Sequence, residues 1–117
     1  MSETGWVRVA SVDDVKPGKV IQVEVGEELI ALANVDGGLL AVSDVCSHEY
    51  VLLHDGWVED DHIKCPQHGS MFSLRTGNVV NLPATQPIQT FRVRVDGDDV
   101  LIDPQPQPRT NTEGDTA

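Results

Sequence analysis

Cations are scarce in this chain. Eight lysines and arginines stand against nineteen aspartates and glutamates, a formal net charge of −11 over 117 residues. That balance argues against a nucleic-acid surface, because phosphates would be repelled. It leaves two readings side by side, plain solubility and steering toward a basic face on a partner, since the sign of a net charge says little about where the charge sits. Apolar runs long enough to cross a bilayer are missing, and Met1 to Gly5 is polar. No membrane span and no signal peptide are therefore expected, and the cytoplasm is the expected compartment. The length suits one domain with a single modest core and leaves no room for a separate catalytic domain. There is no internal repeat, and cysteine is limited to Cys46 and Cys65.

What the chain does have is strand signal. Trp6-Val7-Arg8-Val9, Val20 to Val25 and Leu29 to Leu32 are β-branched or alternating runs bounded by Gly, Pro or acidic turn residues. Asp36-Gly37-Gly38 reads as a tight hairpin turn into Leu39 to Val42, and Phe91 to Val95 alternates, turns at Asp96 to Asp99 and returns as Val100-Leu101-Ile102. Ser11 to Asp14 reads as one helical turn, with Ser11 as N-cap and Asp14 in the place of a capping-box glutamate, stopped by Pro17-Gly18. Many short strands at close spacing predict an all-β fold, an antiparallel β-sandwich or barrel. Residues 44–83 differ in kind: they hold both cysteines, all four histidines, the turn glycines Gly56 and Gly69, and short apolar pieces at Trp57-Val58 and His62-Ile63-Lys64. They read as an insertion that folds as its own small sheet. From Pro104 apolar content falls away, which predicts a domain over 1–103 and an extended, then disordered tail over 104–117.

Within the insertion, Cys46-Ser47-His48 and Cys65-Pro66-Gln67-His68 each join one cysteine to one histidine, with residues 49–64 between them. Two thiolates and two imidazoles suit a tetrahedral zinc. A zinc finger, however, groups its cysteines together and its histidines together. Here each loop offers one of each, which suits a binuclear iron-sulfur cluster with one iron on two thiolates and the other on two imidazoles. Residue types alone leave zinc, and with it a zinc-binding interaction module, open. Of the other histidines, His54 reads as a turn residue paired with Asp55, or as a group standing behind a ligand, and His62 reads as exposed. Trp6 and Trp57 read as core or sheet-face packing.

These residues resemble the Rieske family, whose C-x-H, spacer, C-x-x-H pattern is matched by Cys46, His48, Cys65 and His68. Gly69-Ser70, Phe72, Arg75-Thr76-Gly77 and the proline-bearing Leu82-Pro83-Ala84 continue the likeness, which spans roughly residues 5–103. The resemblance implies a Rieske-like β fold with a small inserted cluster-binding subdomain at about 44–83 and one [2Fe-2S] cluster. It implies Cys46 and Cys65 as thiolate ligands of the inner iron, and His48 and His68 as imidazole ligands of the outer iron, their second ring nitrogens turned to solvent or a partner. Gly69 would let the backbone pass close to the sulfides and Pro66 would stiffen its loop. Two ferric ions, two sulfides and two thiolates make a neutral oxidised cluster, which accepts an electron more readily than an all-cysteine one.

The departures from the family pattern are informative too. Val51 and Gln67 stand where respiratory and photosynthetic relatives carry the cysteines of a loop-tying disulfide, so the loops must be held by packing and hydrogen bonds, in keeping with a reducing compartment. Phe72 stands where those relatives place a tyrosine hydroxyl near a cluster sulfur. With the acidic surroundings this implies a potential toward the lower end of the class range of roughly −150 to +300 mV, although Ser70 can still donate a hydrogen bond.

In function the resemblance is to the small electron-carrier components of multicomponent aromatic-ring-hydroxylating dioxygenases. It implies a non-catalytic ferredoxin that takes single electrons from a flavin-dependent NAD(P)H ferredoxin reductase and delivers them to a terminal oxygenase with Rieske and mononuclear iron centres. Both partners would use one tip, rimmed by Glu49, Tyr50 and Leu82-Pro83-Ala84. The same carrier serving a di-iron monooxygenase is the neighbouring alternative. The small subunit of a nitrite reductase fits less well, because that family tends to lose the ligands.

Overall fold

The computed structural model describes residues 5–46, 51–66, 70–81 and 87–107. Among these residues there are ten strands and no α-helix: β1 (Val7–Ser11), β2 (Val20–Val25), β3 (Glu28–Val35), β4 (Gly38–Ser43), β5 (Trp57–Glu59), β6 (His62–Lys64), β7 (Met71–Ser73), β8 (Val79–Asn81), β9 (Thr90–Asp96) and β10 (Asp99–Pro106). Six form one antiparallel sheet in the order β1-β10-β9-β4-β3-β2, and β5-β6-β7-β8 form a second. The edge strands β1 and β2 come back into contact, so the larger sheet curls nearly closed into a barrel. The smaller sheet is inserted between β4 and β9, within the segment that stands apart in the sequence.

Side-chain alternation on β3 and β4 explains how one chain supports both sheets. Successive strand residues point to opposite faces. Ile30, Leu32 and Ala41 turn into the barrel with Val23, Val25, Phe91, Val100 and Ile102. Their neighbours Ala31, Ala33 and Val42 turn outward, yet these are buried as well, against Leu53, Ile63, Phe72, Leu74 and Ile88 of the inserted region. The outward side of β3 is thus the floor of a second core, and its alanines are small enough to let the small sheet approach closely. That double burial is why β3 reads as a continuous apolar run rather than a clean alternation. Both cysteines lie in this second core.

The turns follow the sequence closely. Asp36 (φ 53°) and Gly37 (φ 94°) form a two-residue turn of the type that matches strand twist, and the Gly37 N–H donates to the Asn34 side-chain oxygen at 2.7 Å. Val12–Asp14 is a single 3₁₀ turn, and the Asp14 carboxylate accepts from the Ser11 N–H at 2.9 Å. Strand extents differ most from expectation in two places, while β1 lies at Val7–Ser11 rather than Trp6 to Val9. β3 runs over Glu28–Val35, beyond Leu29 to Leu32, because Ala33 packs in the second core. β10 continues past Ile102 to Pro106, and the Gln107 N–H then donates to the Thr90 carbonyl at 2.8 Å. Pairing of β10 with β1 ends at Val7↔Ile102, so beyond Ile102 only β9 runs alongside, with Pro106 opposite Phe91, and the two prolines fall where β10 has lost its partner on the β1 side. Residues 108–117 lie outside the described residues.

Candidate metal centre

Two hairpin loops carry the cysteines, and they are built alike. In the first, an isolated antiparallel bridge joins Val45 to Leu52, and the Cys46 N–H donates to the Val51 carbonyl at 2.9 Å. In the second, Lys64 of β6 pairs with Met71 of β7, and the Cys65 N–H donates to the Ser70 carbonyl at 2.7 Å. Each loop therefore opens on a cysteine whose own N–H closes onto the residue five positions later. The histidine of each motif lies between those two anchors in the sequence. Cys46 and Cys65 are buried, 3% and 1% exposed, and neither is in a disulfide.

The bases of the loops are pressed together at Gly56. A Cβ there would lie 1.8 Å from the Lys64 carbonyl oxygen and 3.2 Å from Pro66 Cδ. The sequence reads Gly56 as a turn glycine, but its φ of −88° is open to any residue. What requires glycine is the passage of the first loop's exit against the backbone that flanks Cys65. This close contact, with the shared apolar core, ties the loops where a disulfide is absent.

Around the cysteines the core is almost wholly apolar. Phe72 is fully buried beside them and brings no donor, and Ser70 is a buried hydroxyl on the second loop. Asp44 is the other polar group, a fully buried carboxylate two residues before Cys46. Its oxygens accept from the His54 N–H at 2.7 Å and the Gln22 Nε2 at 2.9 Å, and one lies 2.6 Å from His54 Nδ1. This corrects the reading of His54: its short partner is Asp44, ten residues back, and Asp55 lies at 3.4 Å from the other ring nitrogen. His62 is half-buried rather than exposed, with Asp61 3.4 Å from its Nε2. Trp57 is sheet-face packing as expected, 46% exposed, with Lys64 Nζ 5.4 Å from its ring centroid. Trp6 is half-buried, and the Arg94 guanidinium lies 5.9 Å from its ring.

Of the four residues singled out as ligands, the structure brings Cys46 and Cys65 into one core. His48 and His68 lie outside the described residues, as do Glu49, Tyr50, Gln67, Gly69 and Leu82-Pro83-Ala84. Among the described residues no three His, Cys, Asp or Glu side chains gather as a metal-holding group.

The profile of the Rieske [2Fe-2S] domain matches residues 5–92, about three quarters of the chain. The chain belongs to the Rieske [2Fe-2S] domain family. As a member it carries one Rieske-type [2Fe-2S] cluster. It is 42% identical over 96 residues to the ferredoxin component of biphenyl 2,3-dioxygenase from Rhodococcus jostii, covering 82% of this chain and 90% of that one. It is 41% identical over 99 residues to the 3-phenylpropionate/cinnamic acid dioxygenase ferredoxin subunit of Escherichia coli, covering 83% and 92%. Among solved structures it matches the ferredoxin of carbazole 1,9a-dioxygenase from Nocardioides aromaticivorans with a TM-score of 0.82 at 32% identity, covering 86% and 98%. A further match, with a TM-score of 0.84 at 30% identity and coverage of 90% and 98%, is a chain of a complex of reduced oxygenase and oxidized ferredoxin in carbazole 1,9a-dioxygenase.

The residues present fit a Rieske cluster. Two buried cysteines, neither in a disulfide, occupy the same position in two equivalent loops within one largely apolar core, which suits thiolate ligands. The described residues contain no helix long and apolar enough to cross a membrane.

Proposed function

We propose that Cys46, Cys65, His48 and His68 hold the cluster, and that the protein is the ferredoxin of an aromatic-ring-hydroxylating dioxygenase system. It takes single electrons from a flavin-containing NAD(P)H reductase and delivers them to a terminal oxygenase with Rieske and mononuclear iron centres. The observation that carries the ligand assignment is the equivalence of the two closed loops, each opening on a buried cysteine with one motif histidine inside it. The carrier role is supported by the length of the match: the related ferredoxin components are covered over nine tenths of their chains.

When bound, the cluster supplies a single reversible electron. This chain's residues would do the rest. The loops hold two thiolates in an apolar core, Gly56 keeps the loop bases in contact, and the imidazoles of His48 and His68 would complete the ligand set. The ferredoxin names of its relatives support a role as a non-catalytic electron-transfer component. As ligands, His48 and His68 would give the electron its exit, and reductase and oxygenase would use that exit in turn.

Purified protein is expected to contain about two irons and two acid-labile sulfides per chain, because bridging sulfide must complete the coordination of two irons sharing four protein ligands. One zinc and no labile sulfide would overturn the assignment. Function is tested by reconstituting aromatic-ring hydroxylation with a flavin reductase and a terminal oxygenase of the biphenyl or phenylpropionate type, with and without this protein. Turnover that does not depend on it would count against the carrier role in such a system.

A further inference from the structure

A fully buried carboxylate in a small protein is costly unless several donors hold it, and Asp44 has them. Its position is also particular. Asp44 enters the first loop, and His54 lies just beyond that loop's end. The backbone joins them once, with the Leu53 N–H on the Asp44 carbonyl at 2.6 Å, and the carboxylate joins them again through the His54 N–H and ring. The Asp44 N–H donates to the Leu29 carbonyl at 2.9 Å, and Gln22 of β2 donates to the carboxylate, so the clasp is anchored to two strands of the barrel.

We propose that Asp44, with His54 as its partner, is a positioning residue of the cluster site: it fixes the first ligand loop and sets a negative charge beside it that holds the reduction potential down. This rests on the reading of Cys46 as a ligand. Asp44 is two residues from Cys46, so their Cα atoms are at most about 7 Å apart. A carboxylate at that range in an apolar core disfavours the added electron, since like charges interact strongly where water is excluded. Phe72 withholds a donor from the same core, so the two features act in one direction. His54 belongs to the device because its backbone and ring hold the carboxylate from the far end of the loop.

The test uses the whole holo-protein and three variants, Asp44→Asn, His54→Ala and His54→Gln. Iron and labile sulfide are counted first, and a wild type lacking both would sink the ligand assignment itself, a separate failure. In cluster-loaded protein, Asp44→Asn keeps the shape and removes the charge. It is expected to favour reduction by about tenfold, which is ~59 mV for a one-electron couple. His54→Ala is expected to change the electron paramagnetic resonance of the reduced cluster and to speed cluster loss to a chelator tenfold or more. His54→Gln, which keeps a side-chain N–H donor, should restore most of both. If Asp44→Asn fails to assemble a cluster, the His54 pair decides: a clear difference between Ala and Gln supports the clasp, and identical behaviour overturns it. Unchanged potential and resonance in Asp44→Asn and His54→Ala, whatever their melting temperatures, would reduce Asp44 to a structural residue and overturn the proposal.

Discussion

The two ligand loops close in the same way and are mounted differently. The second springs from the β6–β7 hairpin of the small sheet, and its mount is apolar, with Ile63 and Phe72 fully buried side by side in register beneath it. The first has no strand pair under it, only the single Val45↔Leu52 bridge, and its mount is polar: Asp44, His54 and Gln22 fasten it to the barrel. Both loops share the apolar core, and they differ in that side-chain hydrogen bonds, which fix angle as well as distance, fasten the first, while the second rests on a packed strand pair. A cluster held by both cysteines would make each mount depend on the other, and Gly56 is where they meet.

The largest expected effect treats the loops as equals. Cys46→Ser and Cys65→Ser should each abolish the cluster and loosen both loops, because metal binding energy here is also folding energy. Iron analysis and the visible spectrum check this, and a variant that kept two irons would break the equivalence. Gly56→Ala comes next. The Cβ would strike a backbone carbonyl rather than a flexible side chain, so the cost should reach about 3 kcal/mol, the upper end for overpacking, with cluster content falling by more than half. Urea unfolding and iron content report it.

How far the sequence discloses these features depends on whether each is local. The Cys and His spacing is local and legible, as are the hairpin turn at Asp36-Gly37 and the alternation of β9, because neighbours in the chain decide them. The insertion is legible from its change of composition. Asp44 is not, since a lone aspartate at a strand end looks the same whether solvated or buried, and its donors come from Gln22 on β2 and from the return of the chain at Leu53 and His54. For the same reason Asp55, adjacent in sequence, is a natural but wrong choice of main partner for His54. Gly56 shows the limit in another form: the sequence reveals a special glycine, while its cause is the approach of Lys64, eight residues on.

The third prediction separates the mounts. Ile63→Ala should cost about 3 kcal/mol through the cavity it leaves under the second loop. Gln22→Leu should cost about 1.5 kcal/mol, the value of one hydrogen bond to a charged group. Backbone exchange of the closing N–H groups is the sharper measurement. Ile63→Ala should speed exchange at Cys65 more than at Cys46, and Gln22→Leu should do the reverse. Equal acceleration at both sites would mean that the loops open as one unit and that the difference between their mounts has no consequence for motion.

The smallest effect concerns charge. Where the first loop has the Asp44 carboxylate at its base, the second has Lys64, which directly precedes Cys65 and whose ammonium rests against the exposed Trp57 ring at 5.4 Å. A cation near the cluster should favour the added electron, so Lys64→Met should lower the potential, opposite in sign to the loss of the carboxylate. The size should be much less, because Lys64 is only half-buried and water screens its charge. At about 10 Å in a water-like medium two unit charges interact by ~0.4 kcal/mol. Raising the ionic strength from low to physiological should shrink the Lys64→Met shift, since exposed charges are screened over about 8 to 10 Å, and should leave the Asp44→Asn shift nearly unchanged, since a buried charge is screened far less. Voltammetry of both variants across a salt series would show it. Equal salt sensitivity would mean that the Asp44 carboxylate is as open to solvent as Lys64, and that the polar mount of the first loop is not dry.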